Sequence, residues 1–587
     1  MLRAVSAGKM HLTTAVEICQ GTVRDGGAHA QVSAFSTLGG EQKKNVERDM
    51  HLWLANVHDH KLELAELWLD LEVEGDANTV LTAVPAVPIF IYCHALYNAG
   101  LLQFKVSLLG REGDAGIAAF WKSVSSTSWY KKHPCLPGKN LSKTLALLVH
   151  MDGGEIYTNS EFYIVSVSSA TVTGVHILDS KFPLLKIPHA MMRKPSTKKA
   201  VMKRLASWLG WNFRILNTGV GPLCGFRKEP FAAKSIHAEL QGQPIMGEYT
   251  AVCFGWKGDL KARKETHFET RNYMARKICQ DCPATQAFPS VLEDPELRKN
   301  LFTNMSPEAD FRCHPISHES YVASATEVSP WVEEIDGFRK ENIFHDHLHI
   351  GPLGFYRNLG AATCVDFLER GELPHLETDT ALRHLWIDFR NSCRTQGYGV
   401  PRGGFSLRLL GRSKKSEYPE LHSSFKGTTV KILMVFLAQR AGELERGDPY
   451  TRTRSTCLWA LAEFIWITDS AGVVLSTSEK ARLEYAGRLF LLSYAGYANL
   501  VVGRNLINPT PKVHYYEEML STSLSFGINP RILSCWGEES MIGQLKRLGK
   551  MCHGGSMLTT SMLRLFIHFA MRWQERRRTQ KWRIWVD

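Results

Sequence analysis

The segment from Leu145 to Pro188 constrains the fold of this chain most. Short apolar, β-branched stretches, "LALLVHM", "EFYIVSVSS", "TGVHIL" and "FPLLKI", are separated there by turn residues, the pattern of an antiparallel meander. A helix is expected next, because Val201, Leu205, Trp208 and Leu209 recur at helical spacing with Lys198, Lys199, Lys203 and Arg204 on other faces. A further strand candidate, "GEYTAVCFGW", ends in "KGD". The expected order is three strands, a helix and a strand, with Asp152 leaving the first strand and Asp259 leaving the fourth.

Asp152 opens "DGG" between two apolar runs and has two readings. Asp-Gly between strand-like runs is a strong hairpin signal. The alternative is an acid at the end of a core strand, facing a bound metal ion. The order just described is the layout of a ribonuclease H-like core, in which the first and fourth strands are neighbours and their acids share one sheet edge. Two divalent ions held about 3.5–4 Å apart by such acids activate the attacking oxygen and stabilise the leaving oxygen in phosphodiester cleavage.

The expected fold class is therefore α/β. Its ribonuclease H-like core, a mixed five-stranded sheet with flanking helices, carries a large α-helical insertion and follows an N-terminal helical region. Residues 1–50, rich in Gly, Ala, Ser and Thr, are expected to be partly disordered. Residues 51–140 carry helix-like apolar patterning, including "HLWLANVHDHKLELAELWLDLEVE". The first part of the core spans 141–350, and "TTVKILMVFLAQRAGELE" and the apolar stripes after it place a helical insertion at 351–505. The core resumes over 506–587 and ends in a basic, aromatic tail.

Lys and Arg outnumber Asp and Glu by 70 to 58, a net charge of +12 that suits a polyanionic partner. The N-terminus has no continuous apolar run, so a cleaved secretory signal is not expected. Pro85, Pro88, His94 and Asn98 break the longest apolar stretch, which is expected to be a buried helix starting near Pro88 and not a membrane span. The 13 irregularly spread cysteines point to a reducing compartment.

Clustered cysteines there are more suited to metal than to disulfides. "CQDC" supplies Cys279 and Cys282, and "CHPISH" supplies Cys313 and His318, with His314 as an alternate fourth ligand. Such a set matches structural Zn²⁺ and makes 279–318 a zinc-like insertion. Downstream of Asp259, Lys261, Arg263 and Lys264 are candidate phosphate contacts, or a solvated helix face. In "HDHLH", Asp346 and His349 fall on one face of a helix, with Asp346 as a capping residue in the plainer reading.

In their order, "MDGGEIYTNSEFYIVSV", "WKGDLKAR", "CQDC", "CHPISH" and "DHLH" resemble the transposases of the CACTA (En/Spm) superfamily and related transposon-derived frames of unicellular eukaryotes. The resemblance is scattered over about Leu145 to His553. It implies a DDE/D catalytic domain interrupted by a helical insertion, which cuts transposon ends and joins the freed 3′-OH to target DNA. Asp152 and Asp259 would be its first two acids, and Asp346 and His349 its Asp-x-x-His signature. The third acid should open a helix after the insertion. Glu539 is favoured in "CWGEESMIGQLKRLGK", with Glu538 beside it, Glu517 and Glu518 as outside choices, and Lys546, Arg547 and Lys550 placed to meet phosphate.

These readings imply Mg²⁺ or Mn²⁺ as a pair of ions, structural Zn²⁺, DNA ends and target as partners, no membrane, a homo-oligomer as one assembly state, and a nuclear location. The sequence shows no separate N-terminal DNA-binding finger. The competing function is a catalytically inactive DNA- or protein-binding factor descended from such an element. An RNA-directed ribonuclease would share the core.

Overall fold

A computed structural model describes residues 10, 12–25, 36–38, 49–50, 62–72, 78–157, 160–374, 377–550, 552 and 557–583. The disorder expected for residues 1–50 falls largely outside them; within them Leu12–Arg24 is a helix, α1.

The fold is mixed α/β around one six-stranded sheet of order β1-β2-β5-β4-β3-β6. Its strands are β1 (Ala65–Glu72), β2 (Thr79–Ala86), β3 (Thr144–Tyr157), β4 (Ser160–Ser169), β5 (Phe182–Pro188) and β6 (Thr250–Lys257). Neighbours are antiparallel except β3 and β6, which are parallel. The first and fourth strands of the expected core are thus side by side.

Two sequence expectations are corrected here. The region expected to be helical ahead of the core contributes the hairpin β1–β2, so the sheet has six strands and not five. In "AELWLDLE" Leu67, Leu69 and Leu71 are buried while Glu66 and Asp70 are exposed, a period of two that fits a strand covered on one face. The second correction is "TGVHIL", expected as a strand. It is a loop followed by the one-turn helix Ile177–Ser180, whose first turn is capped by the His176 ring accepting from the Leu178 amide at 3.2 Å.

The helix expected near Pro88 is present as α2 (Ile89–Asn98), which buries most of its side chains, and α3 (Gly113–Val124) follows it. The long α4 (Pro195–Thr218) connects β5 to β6 and buries Val201, Leu205, Trp208 and Leu209 as the spacing predicts. After β6 comes α5 (Leu260–His267). The chain returns to the sheet as a single parallel bridge from Ile343 to Trp256, then enters the one-turn helix α6 (His347–Ile350).

The helical insertion is α7 (Tyr356–Glu369), α8 (Thr378–Thr395), α9 (Gly427–Glu443), α10 (Pro449–Ser470) and α11 (Thr477–Leu500). It closes around its own apolar core, distinct from that of the sheet, and shares it with α12 (Pro511–Phe526). Inside it Arg454, fully buried, pairs with Asp366 and Glu372, each at 2.7 Å. α13 (Trp536–Gly549) then lies against β3, and α14 (Met557–Arg583) packs beside α13. No helix among the described residues is long and apolar enough to cross a membrane.

Candidate metal centre

Strand register brings the first two acids together. The parallel β3–β6 pairing ends with His150 opposite Lys257, and Asp152 and Asp259 each stand two residues further on, at the same end of the sheet. Asp152 is inside β3, opposite Ile164 of β4, so "DGG" is not a hairpin turn. Its Oδ1 accepts from the Gly153 amide at 2.7 Å, while its buried Oδ2 has no hydrogen-bond partner. Asp259 is half-buried and caps α5, its Oδ1 accepting from the Ala262 amide at 2.6 Å.

The Ile343–Trp256 bridge delivers the next two residues to this edge. Asp346 is 2% exposed and saturated with donors: the amides of Leu348 at 2.9 Å, His349 at 3.3 Å and Cys535 at 2.8 Å. It also holds the Nδ1 of His349, which turns Nε2 toward Glu539 Oε1 at 3.8 Å. The plainer reading of "DHLH", a capping Asp, is the one seen for Asp346, and His349 alone of the pair is in the group with Asp152 and Glu539.

Glu539 arrives from the first turn of α13. That helix can approach β3 only because Gly154 has no side chain: a Cβ there would lie 2.9 Å from Ile542 Cγ2 and 3.0 Å from Lys546 Cε. Ligand atoms of Asp152, His349 and Glu539 all lie within 4.8 Å of one another.

The electrostatics reflect crowded negative charge. Burial, and then the negative charge of the Asp152 carboxylate, push Glu539 up to about 7. Burial and then Asp152 likewise raise Asp259, against its cap to Ala262. Burial alone would lower His349, but the Asp346 carboxylate outweighs it and lifts the imidazole to about 9.

Glu538, the neighbouring candidate for the third acid, lies elsewhere. It is 1% exposed and bound by Lys181 at 2.6 Å and Lys257 at 2.9 Å. Burial would raise its carboxyl, but these two ammonium groups hold it well below the usual range. The outside choices are also engaged: Glu517 pairs with Arg312 at 2.8 Å, and Glu518 belongs to the cysteine cluster.

The basic candidates divide. Arg263 is 3% exposed and locked to Glu269 at 2.7 Å and to the His345 ring at 2.8 Å, which corrects its assignment as a phosphate contact. Lys261 reaches Glu161 at 3.2 Å on the surface, and Lys264 is half-buried beside Met274. Arg547 is exposed on α13, Lys550 is exposed just past its end, and Lys546 is half-buried against β3.

A second cluster corrects the expected zinc ligands. Cys279 and Cys282 are buried, and the residues that meet them are His514 and Glu518, four apart on α12. Cys282 Sγ lies 3.3 Å from His514 Nε2, Cys279 Sγ lies 3.6 Å from Glu518 Oε1, and all four ligand atoms lie within 4.8 Å. Cys313 is exposed and outside this group. His318 instead accepts from the Lys340 amide at 3.2 Å, and the His314 ring contacts the Asp310 carbonyl at 2.9 Å.

Sequence reasoning missed His514 and Lys512. His514 and Glu518 fall on one helix face, a visible metal-ligand spacing, but their distance along the chain from "CQDC" hid the connection. Lys512 donates to the Leu353 carbonyl at 3.3 Å. Burial lowers its ammonium, and Asp259 and Asp346 are close enough to oppose that shift. Compared with known proteins, the chain matches no family model and no curated protein.

Proposed function

We propose that this chain is a divalent-metal-dependent DNA-cleaving and strand-transferring enzyme of the ribonuclease H-like DDE/D class, similar to the CACTA transposases. The observation that carries the reading is the meeting of Asp152 with Glu539, from a helix that follows a large helical insertion, with Asp259 at the same end of the neighbouring parallel strand. The strand order β5-β4-β3-β6, antiparallel until the last pair, supports the same class.

The residues present fit Mg²⁺ or Mn²⁺. Asp152 offers a buried carboxylate oxygen without a hydrogen-bond partner, and carboxylates with an imidazole form a donor set of hard and borderline character. Asp152, Glu539 and His349 would hold a cation, with Asp259 available to a second. Bound there, divalent cations supply Lewis-acid activation of water or a 3′-OH and stabilise the leaving oxygen. Asp346 is a positioning residue: by holding Nδ1 it fixes which His349 nitrogen faces the acids. Exposed Arg547 and Lys550 would carry strand phosphates toward the site.

Cys279, Cys282, His514 and Glu518 would hold structural Zn²⁺, tying the segment after β6 to α12. DNA as substrate would place the protein in the nucleus. The test is nicking of supercoiled DNA by the purified chain with Mn²⁺, with Asp152→Ala as control. Cleavage lost by about a hundredfold or more in the variant supports the reading. Equal cleavage by both, or none by the wild type, favours the non-catalytic binding factor.

A further inference from the structure

Behind the acidic centre, between the sheet and the helical insertion, lies a cavity of about 300 Å³. It is at the small end of the range of ligand pockets and lies at the kind of junction where such pockets recur. Three chain segments serve both places. Lys257, His347 and Gly537 line the cavity, while Asp259, His349 and Glu539, two residues on in each case, belong to the acidic centre.

The lining carries more positive than negative charge. Lys181, Lys257, Lys431 and Arg531 all contribute to it. Lys181 and Lys257 share a single carboxylate, that of Glu538. Lys431 is paired with Asp469 at 2.6 Å, while the Arg531 guanidinium reaches only the Asp469 backbone carbonyl at 3.0 Å. Four cations thus face two carboxylates. Burial, with the neighbouring Lys257, pulls the Lys181 ammonium below its ordinary value against Glu538, while the same carboxylate raises that of Lys257.

Neutral donors complete the wall. Ser534 lines the cavity, is 5% exposed, and its hydroxyl has no hydrogen-bond partner among the described residues. The first turn of α13, Trp536 and Gly537, also lines it, bringing the positive end of a helix dipole. Gly537 makes room for Lys181, since a Cβ would lie 2.6 Å from Lys181 Cε.

We propose that this cavity binds a phosphate group, whose charge of about −2 as a monoester or −1 as a diester matches the uncompensated cations. The ligand is either a free phosphate monoester or a backbone phosphate of a nucleic-acid strand. The proposal stands apart from the cleavage chemistry, because it uses neither the acidic centre nor a metal.

Calorimetric titration of the zinc-loaded full chain, in buffer without added Mg²⁺ or Mn²⁺, tests it, with inorganic phosphate and with thymidylyl-thymidine, which carries only a diester, as separate probes. Saturable binding of at least one probe is expected, and whichever binds more tightly identifies the source. The double substitution Lys431→Gln and Arg531→Gln should weaken it about tenfold or more. Thr428→Glu, at an exposed position on the rim, should weaken it in the same direction without touching a buried residue. Absence of saturable binding by either probe, or binding unchanged in both variants, would overturn the proposal.

Discussion

Gly154 of β3 and Ile542 of α13 are in such close contact that a Cβ on the glycine would lie 2.9 Å from the isoleucine methyl. The same contact sets how near Glu539, one turn earlier on α13, stands to Asp152. Gly154→Ala should therefore cost about 1–3 kcal/mol by overpacking, read as a lower urea midpoint. It should also reduce Mn²⁺-dependent cleavage by more than the fraction of protein unfolded under assay conditions.

The adjacent glutamates of α13 should behave oppositely. Glu539→Gln removes a half-exposed acid from the centre, so stability should change by less than about 1 kcal/mol while Mn²⁺ affinity falls. Glu538→Gln leaves Lys181 and Lys257 without their carboxylate and should cost about 3–5 kcal/mol. Denaturation curves and Mn²⁺ titrations of the two variants, taken together, check this crossing pattern.

Elemental analysis of the purified chain should find about one zinc per molecule. Cys282→Ala or His514→Ala should release it and lower the thermal midpoint, because metal binding is coupled to folding. Cys313→Ser should leave zinc content and midpoint unchanged, since Cys313 is exposed and outside the cluster.

Lys186 of β5 is 1% exposed, and its ammonium faces Ser561 and the Met557 carbonyl of α14. Burial lowers it to about 7. The unfolded chain, with an ordinary lysine value of about 10.4, then binds the extra proton between the two values, so this group makes stability rise with pH across that window. Lys186→Met removes the term. Its stabilisation over wild type should be larger near pH 7 than near pH 9, by about 2 kcal/mol in paired urea titrations.

The order of strands, helix and acids was legible because alternating apolar runs and the "DGG" and "KGD" breaks are local signals. The hairpin β1–β2 was not. Leucines in "LELAELWLDLE" satisfy helical spacing as well as alternation, and only burial on one sheet face decides between them. Sequence favoured Glu539 over Glu538 only narrowly, because one step around a helix, invisible in the chain order, turns one side chain into the core and its neighbour toward the sheet edge. The cysteine pair was visible, but its partners come from α12 by tertiary folding, so the nearer Cys313 and His318 were chosen. For "DHLH" the spacing marked one face, while the role of His349 depended on where the Ile343–Trp256 bridge laid the chain.

The central claim is that Asp152, Glu539 and His349 form one cation-binding centre beside Asp259. Electron paramagnetic resonance titration of Mn²⁺ into the zinc-loaded chain, wild type against Asp152→Asn, tests it most directly. The account predicts saturable Mn²⁺ binding by the wild type, weakened about tenfold or more in a variant that keeps the wild-type circular dichroism spectrum. Equal Mn²⁺ binding by the two proteins, or no saturable binding by the wild type, would contradict it.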